Sequence, residues 1–137
     1  MFKAYAFALA CAALMSSCLP KNRAGTCNAI DSATRVVVHV SSHGTEPAPD
    51  YVITDQERIR QLIAFTNARR DVFQPAWTPI PAPTVDAVLY NKDEFVGAIG
   101  VGSDFFFLSC TNWKGIRNAT ATELDDFKRL ISPKAND

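Results

Sequence analysis

Prolines stand at positions 75, 79, 81 and 83 of the stretch Gln74 to Thr84. Each proline ring removes a backbone donor and fixes φ, so this stretch is excluded from helix and from the interior of a sheet. It is expected to cross the surface as extended, polyproline-like backbone. The chain therefore has to be read as two patterned halves on either side of a stiff connection.

In the first half, Arg35 to Val40 contains three consecutive valines and predicts a strand buried on both faces or nearly so. Ser41 to Asp50, with Gly44, Pro47 and Pro49, predicts a loop. Thr54-Asp55-Gln56-Glu57 has the form of a capping box and predicts a helix from about Asp55 to Ala68. Ile59, Leu62, Ile63 and Thr66 fall at helical spacing and make its buried stripe, whereas Arg58, Arg60, Gln61 and Arg69 lie elsewhere.

Beyond the prolines, Val85 to Tyr90 and Glu94 to Ile99 flank the turn residues Asn91-Lys92-Asp93. A second turn at Gly100 to Asp104 leads into Phe105 to Cys110, completing a three-stranded meander. A last helix begins near Thr120 or Thr122, with Thr120 and Glu123 as a second capping box, and ends before Ser132-Pro133. Leu124, Phe127, Leu130 and Ile131 share its apolar face. The expected fold class is α+β: a single domain whose antiparallel sheet follows the order strand, helix, three-stranded meander, helix, with both helices on one face.

At the front of the chain, Lys3 precedes an apolar run from Ala4 to Met15, followed by Ser16, Ser17 and Cys18. A positive start, a short apolar run and small residues before a cut describe a secretory signal, and the run falls short of the ~20 residues that a spanning helix needs. Leu14-Met15-Ser16-Ser17-Cys18 resembles the lipobox of bacterial lipoproteins, with Met15 standing where that pattern prefers Leu. The resemblance implies removal of residues 1–17 and acylation of Cys18; Leu19 to Gly25, short and polar with Pro20 and Gly25, reads as a tether, which gives an anchor and tether over 18–26 and one α+β domain over 27–137. Several acyl chains hold durably where a single chain binds only marginally. Leu19 follows the cysteine in place of the Asp associated with inner-membrane retention, so the resemblance implies the periplasmic face of the outer membrane. The alternative is an ordinary secreted protein cut nearby, with Cys18 a plain thiol.

Removing residues 1–17 from 137 leaves 120, enough for one core and no second domain. Removing Lys3 leaves 13 basic against 14 acidic side chains, with no run of like charge. That balance argues against nucleic acid and against an anionic membrane surface as the main partner, because both select basic patches. With Cys11 in the signal and Cys18 at the anchor, Cys27 and Cys110 remain, and an oxidising compartment makes their pairing the expected outcome. On the chain-entropy model such a bond stabilises by about 4 kcal/mol.

Candidate chemistry is sparse. His39 and His43 are four apart, but on a strand that spacing separates them by ~13 Å, so they do not share an ion unless the chain turns sharply at Ser41-Ser42. Ser42 and Ser109 lack a nucleophile motif. Gly97, Gly100 and Gly102 fit neither phosphate-loop spacing and read as relief for a bent strand and a tight turn. Glu123, Asp125 and Asp126 suit the positive end of the last helix. Trp77 in the proline stretch, with Phe73 before it and Ile80 inside it, is the leading candidate contact surface, and Trp113 is a weaker one; for each, a lid over the core edge is the favoured reading and partner contact the second.

No residue-specific family motif covers the domain beyond the lipobox. It looks like a small envelope lipoprotein of α+β type, which implies a membrane attachment through Cys18 and a protein partner in the envelope. No cofactor, metal or catalytic set is expected. The favoured function is a non-enzymatic protein-binding module, such as an inhibitor or immunity protein. A structural or assembly accessory of an envelope or secretion complex ranks second, and a small cell-wall or carbohydrate-active enzyme third. That third class would require Asp86, Asp93 or Glu94 to converge with a histidine in a pocket.

Overall fold

Strand pairing organises the chain. A computed structural model describes residues 27–41, 50–76 and 78–134; the signal segment, Cys18 with its tether, His43 and Trp77 lie outside the described residues. Among the described residues the elements run β1 (Arg35–Val40), β2 (Tyr51–Ile53), α1 (Gln56–Asn67), β3 (Gln74–Pro75), β4 (Val85–Asn91), β5 (Glu94–Val101), β6 (Phe105–Cys110), β7 (Trp113–Asn118) and α2 (Ala121–Ile131). The strands form one antiparallel seven-stranded sheet in the order β2-β1-β4-β5-β6-β7-β3. The fold is α+β, as the sequence predicts, with three further strands.

Alternation along the pleat sends one set of side chains to the helices. Val36 and Val38 of β1, Ala87 and Leu89 of β4, Ile99 and Val101 of β5, and Phe106 and Leu108 of β6 are buried on that face. Against them α1 places Ile59, Leu62, Ile63 and Thr66, and α2 places Leu124, Phe127 and Ile131. Phe65, Phe106 and Phe127 interlock at centroid distances of 5.6 to 6.0 Å, which ties both helices to β6. Each of these large side chains stabilises the fold by about 1.5–3 kcal/mol through burial alone.

Two local expectations are corrected. The cap of α1 is Asp55, whose carboxylate accepts from the amides of Glu57 and Arg58, so the Thr54 capping box does not form. Adjacent Thr and Asp both suit a cap, and the ionised acceptor wins at the positive helix end. Arg58, expected away from the buried stripe, is buried; its guanidinium donates to the carbonyls of Leu130 and Ser132 and so closes the C-terminal end of α2 against α1. The second capping box forms as expected, with Thr120 and Glu123 exchanging both bonds.

Cys27 and Cys110 are bonded, with their Cα atoms 5.7 Å apart. The 3-10 turn Asn28–Ser32 that follows Cys27 drops Ile30 into the core beside Gly97, where an added Cβ would come within 2.6 Å of Ile30 Cγ2. The glycines of β5 therefore make room for neighbouring side chains. The one positive φ among the described residues belongs to Lys92, in the β4–β5 turn.

Candidate functional site

Among the described residues no helix covers the opposite face of the sheet. Its central floor is built from small residues, Ala98 of β5 and Ser109 of β6, flanked by Val88 of β4 and by Phe107 of β6, whose ring lies over Gly100. Over this floor runs the proline stretch, pinned at one end where the Ala76 amide donates to the Lys114 carbonyl at 3.1 Å. At the other end the Thr84 amide and hydroxyl both donate to the Val101 carbonyl, at 2.7 and 3.0 Å. Between those anchor points Pro79, Pro81 and Pro83 offer no amide hydrogens, so the strap spans the strands without pairing to them. The result is a groove of about 490 Å³ between strap and sheet. Pro83 marks its closest approach, because an added Cβ on Gly100 would sit 3.0 Å from Pro83 Cβ.

Charge enters the groove at two places. Asp86 of β4 lies in register with Gly100 of β5 on one side and His39 of β1 on the other. One Asp86 carboxyl oxygen is shielded from solvent and accepts no hydrogen bond from the described residues. Burial pushes this carboxyl above the ordinary carboxylate range, and the neighbouring His39 offsets part of that rise. The His39 ring is turned to Asp50, with Nδ1 2.8 Å from the Asp50 carboxylate. At the far end Lys114 of β7 borders the groove; three strand spacings separate its strand from β4, roughly 14 Å.

A larger cleft, about 640 Å³, opens between the start of α1 and the end of α2. Its charged groups already satisfy one another: Lys134 pairs with Asp55 at 2.8 Å and Arg129 with Asp126 at 3.4 Å. Size alone favours the cleft, but a solvated, internally paired surface offers a ligand little that water does not. The groove holds an unsatisfied carboxyl oxygen together with an apolar lining, and it is the better candidate.

The residues singled out from sequence divide sharply. Phe73 and Trp113 are 3% and 7% exposed, so both belong to the core, in keeping with the lid reading of these aromatics. Trp113 stacks over Gly115, and Phe73 belongs to the same buried cluster. Both act as lids. Ile80 is half-buried and lines the groove. Asp93 sits in the β4–β5 turn, 3.5 Å from Arg35, and the neighbouring Glu94 is exposed, so neither approaches a histidine. Among the described residues no cluster of three or more His, Cys, Asp or Glu side chains could hold a metal ion.

Sequence reading missed Val88, Phe107, Ser109 and Lys114 as a joint surface. Alternation within β4 and β6 was the available signal, since residues 86, 88, 107 and 109 all fall on the parity opposite the core set. No protein-family model matches the chain, and no curated protein or solved structure is significantly similar to it.

Proposed function

We propose that this protein is an envelope lipoprotein, anchored through acyl chains on Cys18, that works without catalysis as a protein-binding module. Its contact surface is the groove between the proline strap and the helix-free face of the sheet. The observation that carries this reading is the groove itself, where apolar side chains from three strands and Ile80 of the strap surround one unsatisfied carboxyl. An extended segment of another protein fits such a trench, because a stiff strap and a flat sheet lose little freedom when they are occupied. The bond between Cys27 and Cys110 supports an oxidising compartment and agrees with the export signal.

A small wall-acting enzyme draws support from one observation, the side-by-side placement of Asp86 and His39. Paired-carboxylate chemistry works across roughly 5–9.5 Å. Asp86 lies at the opposite end of β4 from Asp93 and Glu94, about 17 Å along the strand. The binding reading is therefore preferred.

A photo-crosslinking side chain placed at position 80 in native envelopes tests it, with the same group at Arg129 on the helical side as the contrast. A discrete protein adduct from position 80, absent from position 129 and weakened by Trp77→Ala, is the expected result. Adducts that are missing, or equal from both positions, would overturn the proposal.

A further inference from the structure

Among the described residues Asp86 is the one acidic side chain that lines the groove. Among the described residues the basic side chain beside it is His39, which offsets only part of the effect of burial. His39 stands opposite on β1 with Nδ1 committed to Asp50. Lys114, the other charged group of the lining, belongs to a strand roughly 14 Å away. A half-buried carboxylate with one oxygen shielded from water and accepting no hydrogen bond is unfavourable, and the arrangement is completed when a cation reaches the group. Val88 lies two residues along the same face of β4 and Pro83 closes over the neighbouring Gly100, so the approach to Asp86 is apolar.

We propose that the protein segment seated in this groove presents a lysine or arginine side chain, its cationic head paired with Asp86 and its alkyl stem lying on Val88 and beneath Pro83. Long basic side chains suit such a site because the stem gains from apolar contact while the head stays charged. A neutral or acidic residue at the same place leaves the carboxylate unpaired, so the contact discriminates between segments as well as binding them. This inference rests on the groove being the binding surface.

The test titrates the isotope-labelled full chain, held in detergent, with an acetylated and amidated tetrapeptide that has lysine between leucines. Its twin carries norleucine in place of lysine, and butylammonium alone serves as a third probe. The lysine peptide is expected to bind at least tenfold more tightly than the norleucine peptide and to shift the amides of Asp86, Val88 and Ser109. Asp86→Asn should reduce that ratio to near one and leave norleucine binding unchanged, while Lys114→Gln should preserve the ratio. With the unaltered chain, the ratio should also shrink at acid pH, as Asp86, its carboxyl pushed up by burial, takes up a proton. Norleucine binding with no lysine preference would overturn the cation site and leave the groove reading standing. Failure of both peptides would overturn both. Butylammonium binding as tightly as the peptide would overturn the protein segment as occupant in favour of a small amine.

Discussion

Glu123 provides the most quantitative handle on this fold. Its carboxylate accepts from the Thr120 amide at 3.0 Å, from Arg69 Nε at 3.0 Å and from Arg117 at 3.1 Å, so one side chain joins the end of α1, the edge of β7 and the start of α2. The Thr120 amide bond, helped by the two guanidinium groups, holds the carboxyl at about 2 against an ordinary 4.5. If all of that difference acted on folding it would amount to roughly 3 kcal/mol. The Glu123 side chain is 18% exposed and Arg69 25%, so water screens part of the interaction and about 2 kcal/mol is the expected share. A carboxyl with a lowered folded-state pKa contributes stability above its unfolded value and loses it as pH falls through the folded one. Glu123→Gln should therefore destabilise by about 2 kcal/mol at pH 7, and the gap to the parent should close as pH falls from 5 toward 2. Urea unfolding followed by the fluorescence of buried Trp113 reads this directly at a series of pH values. A deficit that stays constant down to pH 2 would show that shape, not charge, was lost. No deficit at pH 7 would show that the three-way contact is fully screened.

Reducing the Cys27–Cys110 bond, which closes a separation of 83 residues, should lower stability by about 4 kcal/mol. Guanidinium unfolding with and without reductant checks this, and an unmoved midpoint in a sample with both thiols free would refute it. Gly100→Ala should cost about 1–3 kcal/mol, because the new Cβ would lie 2.1 Å from the Phe107 ring and force it to move against the strap. Calorimetry should give a lower melting temperature, and amide exchange at Thr84 should quicken; parental behaviour in both would mean that the strap is not seated on β5.

Long patterned elements were legible and short ones were not. β1, β4, β5, β6 and both helices announce themselves through β-branched runs, capping residues and helical spacing. β2 has three residues and β3 two, too few for any period to emerge, and both are strands only because β1 and β7 supply partners. β7, Trp113 to Asn118, mixes Lys114, Gly115 and Arg117 among its apolar residues, and it pairs with β6 through a tight reversal that carries no turn dipeptide. Arg58 escaped because its polar character points outward by pattern, whereas the orphan carbonyls ending α2 draw it inward. The same limit applied to the site. Trp77 and its neighbours marked the strap as a surface feature, but Asp86 gains meaning only from what sheet pairing places beside it and from the donors it lacks.

The covalent bridge also sets the mechanics of the molecule. Tension arriving from the N-terminal side meets Cys27 and passes at once to the end of β6, bypassing β1, α1, β4 and β5. Residues 28–109 then form a closed loop that cannot be drawn out lengthwise while the bond is intact. β6 is also a strand of the groove floor, so a partner gripped there and a restraint at the front of the domain would pull on the same strand, and the rest of the core would stay out of the line of force.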